Sequence, residues 1–198
     1  MRVYTIAGGV NGVGKSSLTG VLKAERKDLG YIIDVNKIAH EHNGDNLKAA
    51  RIAIAKMEQF LKNGITFTQE TTLSGHMVER TIIKAKKLDY DIHLFYVGLG
   101  SAEESIKRIK NRVEKGGHDI PQEDVIRRYG NRFDSLIKIL PYCDEVKFYD
   151  NENRFDNIAK YRNGEIVFTS EYKPDWLTEL QEQLSQNDSL VFEQEMDL

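Results

Sequence analysis

Gly9, Gly12 and Gly14 stand at fixed spacing ahead of Lys15 and Ser16, in the run Gly9-Val10-Asn11-Gly12-Val13-Gly14-Lys15-Ser16. Glycines so placed let a short loop fold tightly enough for successive backbone N–H groups to point inward at phosphate oxygens. Lys15 adds a point charge near the β and γ phosphates, and Ser16 offers a hydroxyl to Mg²⁺ where a helix opens. The run is a complete Walker A loop. It follows the β-like stretch Val3 to Ala7 and precedes the helix-compatible stretch Ser17 to Lys23, the context such a loop requires. The expectation is a binder of nucleoside triphosphate, with ATP and Mg²⁺ as cofactors and residues 9 to 17, Ser17 included, touching the nucleotide. No Gly-x-Gly-x-x-Gly is present, which argues against a dinucleotide fold.

Two further segments carry groups suited to an acceptor. Ile33-Asp34-Val35-Asn36 ends a β-like run and enters a helix, at the place where small-molecule kinases with such a loop present a carboxylate to the acceptor hydroxyl. Phe67-Thr68-Gln69-Glu70-Thr71-Thr72 puts an acid and hydroxyls at another strand end, with Glu70, Thr71 and Thr72 as candidates for acceptor or Mg²⁺-water binding. Arg108 and Arg112, spaced i and i+4, share a helix face. They lead through Gly116-Gly117-His118 to Arg127 and Arg128. Arginine-bearing helices around a glycine hinge are what a closing lid needs, because phosphoryl transfer depends on cations meeting the charge on the γ-phosphate while water is excluded. His118 is expected to hydrogen-bond within the lid and is assigned no metal.

This ensemble resembles the zeta-toxin family of bacterial kinases, especially its compact branch. The resemblance rests on Ile6 to Ser16, on Gln69-Glu70-Thr71-Thr72-Leu73, on Gly116 to Pro121 with Arg127-Arg128-Tyr129, and on Tyr149-Asp150-Asn151. It spans roughly residues 3 to 151. It implies ATP-dependent phosphorylation of a hydroxyl on a sugar nucleotide such as UDP-N-acetylglucosamine, and a small antitoxin as a partner. It also implies Lys15 and Ser16 on ATP and Mg²⁺, Glu70 and Thr71 near acceptor or metal, Arg112 and Arg128 on the transferring phosphate, and Asn151 on the adenine side. Where the family carries its catalytic aspartate, this chain has Asn36. An amide orients a hydroxyl but does not take its proton, and general-base help is worth about 10² to 10⁴ in rate. Asp34 standing in for the lost carboxylate, a deliberate replacement that tames a toxic kinase, and a naturally weakened relative are three explanations. An attenuated kinase is the favoured reading, with Asn36 also suited to capping a helix. A catalytically silent nucleotide-binding protein acting through a partner, and a kinase for another small hydroxyl acceptor, are the alternatives.

Positioning these residues calls for a particular scaffold. β-like runs at 2–7, 31–34, 65–70, 91–99 and 145–150 alternate with helix-compatible stretches at 16–27, 46–62, 76–88, 102–114 and 121–140. That alternation predicts an α/β, P-loop kinase-like fold with a mainly parallel sheet flanked by helices, its ligands lying beyond the carboxyl ends of the strands. Asn163-Gly164 between two short apolar runs predicts a hairpin at 157–169, read as an antiparallel appendage. Trp176, Leu177, Leu180 and Leu184 make one face of a following helix, expected to dock on the body.

At 198 residues the chain suits a single domain. The lone Cys143 and the absence of a signal-like N-terminus fit a cytoplasmic setting, and no apolar run reaches membrane-spanning length. The net charge of −3 divides unevenly, for residues 171–198 hold eight acids against Lys173. The remaining Lys and Arg are scattered rather than clustered, which makes nucleic acid a weak partner.

Overall fold

The computed structural model describes residues 1–152 and 155–196, with side chains to residue 187. Strands β1 (Arg2–Gly8), β2 (Tyr31–Asp34), β3 (Phe67–Thr71), β4 (Tyr90–Gly98), β5 (Glu145–Asp150), β6 (Asp156–Arg162) and β7 (Glu165–Phe168) form one sheet in the order β2-β3-β1-β4-β5-β6-β7. The pairings among β1 to β5 are parallel, and β6 pairs antiparallel with both β5 and β7. The α/β class and the mainly parallel sheet are as the sequence predicts. The eight α-helices among the described residues are α1 (Lys15–Glu25), α2 (Val35–Glu41), α3 (Asn46–Asn63), α4 (Met77–Lys86), α5 (Ala102–Glu114), α6 (Gln122–Gly130), α7 (Asp134–Ile139) and α8 (Asp175–Met196).

The pleat of the sheet sorts the core into two layers. Successive residues of a strand face opposite sides, so Ile92, Leu94 and Tyr96 of β4 join one cluster with α3, α4, α7 and α8. Phe95 and Val97 join another with Val10, Val13, Leu18 and Leu22 beneath the phosphate loop. A third cluster holds Ile109, Ile120 and Val125, between α5 and α6. This small core is shared by α5 and α6, separate from the two larger clusters.

Three details depart from the sequence reading. The stretch 121–140 breaks into α6 and α7, because Gly130 and Asn131 are poor helix formers and the Arg132 guanidinium turns back between the rings of Tyr129, at 4.1 Å, and Phe133, at 4.3 Å. The hairpin at Asn163-Gly164 forms with both residues at positive φ (53° and 87°), as a tight two-residue turn requires. It is not an appendage, since β6 pairs with β5 and extends the main sheet. The acid-rich end lies in part outside the described side chains, Asp188, Glu193, Glu195 and Asp197 among it.

Helix α8 docks as expected, burying Trp176, Leu177, Leu180 and Leu184. Trp176 lies directly over Gly98, where an added Cβ would stand 2.0 Å from indole Cε2. Overpacking of this kind costs about 1–3 kcal/mol. Gly98→Ala is therefore expected to lower stability by about 3 kcal/mol, since the indole is also tethered by a hydrogen bond and does not swing aside; thermal unfolding followed by circular dichroism measures this, and an unchanged midpoint contradicts it.

Candidate functional site

The phosphate loop connects β1, in the middle of the sheet, to α1. Its backbone is held open by positive φ at Gly9, Gly12 and Gly14. At Gly9 a Cβ would meet the Val97 carbonyl at 2.4 Å, and at Gly14 it would meet Asn151 Nδ2 at 2.6 Å. Neither conformation nor space tolerates a side chain there. The loop is also gripped from outside. Ser105 Oγ donates to the Asn11 carbonyl, Arg128 Nη1 donates to Asn11 Oδ1 at 3.0 Å, and Asn151 Nδ2 donates to the Val13 carbonyl at 2.6 Å. Val10 and Val13 turn their side chains into the core beneath.

Lys15 opens α1, and its Nζ donates to the carbonyls of Gly9 at 2.9 Å and Val10 at 3.0 Å. Loss of hydration pushes its pKa down to about 8, against the pull of Glu70 and Asp34 in the opposite direction. Ser16 Oγ donates to Glu70 Oε2 at 2.6 Å. Burial raises the Glu70 pKa, the Ser16 bond opposes the shift, and neighbouring Asp34 adds to it. Asp34 and Glu70 are register partners at the ends of β2 and β3, which is why two carboxylates come to face one lysine.

A cleft of about 690 Å³ opens beside this group. Asn11, Gly12, Gly14, Lys15, Ser16 and Ser17 form its floor, Asp34, Asn36, Glu70, Thr71 and Thr72 one wall, and Arg108, Arg112, His118 and Arg128 the other. The sequence-predicted residues thus converge on one space, with exceptions. Arg127 is exposed, pairs with Asp124 at 2.6 Å and is not part of the lining. Asn151 reaches the loop carbonyl instead of the cleft, and Gly9, Val10 and Val13 likewise stand outside its lining. Asn36 does not cap α2; Asp34 does, its Oδ1 accepting from the N–H groups of Asn36 at 2.9 Å and Lys37 at 3.3 Å. Asp34 closes β2 and the chain coils at once into α2, so Asn36 sits in the first helical turn, exposed to the cleft.

The arginines of α5 and α6 are already partnered. Arg112 Nη2 donates to the His118 carbonyl at 2.6 Å, and Arg108 pairs with Glu104 at 2.5 Å. Arg128, besides its bond to Asn11, lies 3.8 Å from Asp124. Asn46 and Ala50 of α3, with Ser74 after β3, also line the cleft. Nothing in their local sequence marks them, because α3 reaches the site only through the turn at Asn43 and Gly44, both at positive φ.

No protein-family model matches the chain. It is 35% identical over 126 residues to an uncharacterized protein of Haemophilus influenzae, an overlap of 61% of this chain and 88% of that protein. Among solved structures, it is similar to one from the PezAT chromosomal toxin–antitoxin system of Streptococcus pneumoniae, with a TM-score of 0.61 and 14% identity over 98% of this chain and 88% of that one. It is also similar to the AvrRxo1-ORF1:-ORF2 structure with ATP, with a TM-score of 0.64 and 14% identity over 93% of this chain, which spans 63% of that one. At such identity the likeness shows a common fold, the P-loop kinase-like α/β sheet.

The depressed pKa of Lys15 sets opposite pH trends for binding and folding. A bound polyphosphate favours the charged amine, so affinity for ATP is expected to fall roughly tenfold per pH unit above about 8, with proton uptake on binding near that pH. Stability of the chain without nucleotide should instead rise between about 8 and 10.5, where the unfolded state holds the extra proton. Calorimetry in two buffers of different ionisation heat reads the uptake; no uptake together with a pH-independent affinity contradicts the assignment.

Proposed function

The chain belongs to the same family as the uncharacterized Haemophilus influenzae protein, and we propose that it is an ATP-dependent phosphotransferase of the zeta-toxin type, acting on a hydroxyl of a sugar nucleotide resembling UDP-N-acetylglucosamine. The observation that carries this reading is the single cleft in which the phosphate loop, the Asp34 and Glu70 carboxylates, and Arg108, Arg112 and Arg128 meet. The floor holds the triphosphate through loop amides and Lys15. The wall of Asn36, Asn46, Thr71, Thr72 and Ser74 offers amides and hydroxyls to a polyhydroxylated acceptor. The arginines lie where charge builds up on the transferring group.

Mg²⁺ enters with the ATP. The donor set fits it, since a serine hydroxyl and a carboxylate 2.6 Å apart are hard oxygen ligands of the kind that share such an ion with phosphate oxygens and water. Ser16 would hold the ion directly and Glu70 through water. When bound, the ion neutralises charge on the phosphate oxygens. Lys15 then exchanges its carbonyl partners for phosphate, and closure of α5 and α6 on their own small core excludes water.

The weak link is proton removal from the acceptor. Asp34 has one oxygen engaged in capping α2, while Asn36 faces the cleft with an amide that orients the hydroxyl but takes no proton. We read the chain as an attenuated kinase on this ground. A second reading, a nucleotide binder without turnover that acts through a partner, is favoured by the same residue. The solved relatives from a toxin–antitoxin system and from a two-protein complex support a small antitoxin-like protein as that partner. The described residues contain no helix long and apolar enough to cross a membrane.

ADP release with a panel of sugar nucleotides separates the two. Asn36→Asp is expected to raise acceptor-dependent transfer by about 10² to 10⁴, and Asp34→Ala to lower stability by about 1 kcal/mol through the lost cap with little change in transfer. An unchanged rate in Asn36→Asp, with Asp34 essential, makes Asp34 the base. Tight ATP binding without turnover in both forms supports the silent binder.

A further inference from the structure

The C-terminal helix lies outside the stretch whose sequence motifs carry the resemblance to a kinase, yet a short chain of hydrogen bonds runs from it to the phosphate loop. Trp176 is buried on α8, packed against Tyr96 at 5.9 Å and Phe148 at 6.5 Å between ring centroids. Its Nε1 donates to Asp150 Oδ1 at 2.9 Å. Asp150, 1% exposed at the end of β5, accepts on its other oxygen from the Glu152 N–H at 2.9 Å. This pair of bonds fixes the turn that carries Asn151. Asn151 in turn clips the loop at the Val13 carbonyl and receives Arg108 Nη2 on its own carbonyl at 3.4 Å.

A phenylalanine would satisfy the apolar demands of the Trp176 site; the indole N–H is what it would lack. A buried carboxylate bridging two N–H donors is costly to leave half-satisfied, so loss of the indole N–H is transmitted to the turn. Leu177, Leu180 and Leu184 already bury the rest of the helix face. Docking of α8 therefore has anchors independent of the hydrogen bond.

We propose that Trp176 is a positioning residue for nucleotide binding: through Asp150 and Asn151 it holds the Val13–Gly14 segment of the phosphate loop in its binding shape. The inference rests on the reading of this loop as the ATP site. It predicts that α8 and the nucleotide communicate, although α8 does not line the cleft.

Trp176 is the sole tryptophan of the chain, so its emission reports this linkage in the unmodified protein. Saturation with Mg·ATP is expected to change Trp176 fluorescence, with a midpoint matching the Kd from calorimetry. Trp176→Phe is expected to weaken ATP binding about threefold to tenfold, the scale of one hydrogen bond, with the circular dichroism of the native fold retained. In the Asn151→Ala background the same substitution should have no further effect, because the link is already cut. Calorimetric ATP binding with unaltered emission overturns the proposal, as does a folded Trp176→Phe with native affinity or a loss that multiplies with that of Asn151→Ala. If the unmodified chain binds no ATP, the ATP reading falls first and the inference with it.

Discussion

A loop that turns its amides toward an anion cannot hold that shape by its own bonds, and the rest of this molecule is arranged to hold it. Val10 and Val13 anchor it in the core below. Ser105 and Arg128 fasten Asn11 from α5 and α6, and Asn151 fastens Val13 from the end of β5. Lys15 closes it from within. The glycines are required because Val97 and Asn151 stand where side chains would be. Preorganisation of this kind means that little is spent on ordering the loop when phosphate arrives.

The electrostatics of the cleft follow from strand order. Placing β3 between β1 and β2 brings Asp34 and Glu70 to adjacent strand ends, next to the lysine and serine that open α1. Helices α5 and α6 bring cations from the opposite side. Carboxylates on one wall and guanidinium groups on the other suit a reaction in which a proton leaves an alcohol while negative charge moves through a phosphoryl group. The arginines of α5 and α6 are meanwhile held by Glu104, Asp124 and the His118 carbonyl, partners that a phosphate can displace by stronger charge-assisted bonds.

Much of this was legible in the residues. The phosphate loop is a local pattern, and its glycines announce themselves by spacing. Strand ends were legible because alternation of apolar runs fixes the sheet, and the carboxyl ends of parallel strands are where ligands gather. What was not legible depends on contacts far apart in sequence. The break between α6 and α7 follows from Arg132 stacking on two rings and pairing with Glu179. The hairpin looked separate because nothing local says which edge it joins, and the contribution of Asn46 and Ala50 depends on how a turn aims α3. Capping by Asp34 rather than Asn36 was a choice between two good capping residues two positions apart, decided by where β2 stops.

The claim underlying all of this is that the loop grips ATP through backbone amides and Lys15. Calorimetric titration of the intact chain with Mg·ATP, beside Lys15→Ala, tests it most directly. The account predicts saturable one-to-one binding that weakens by about 100-fold or more when the ammonium is removed. Equal affinities, or no saturable binding by the intact chain, would contradict it.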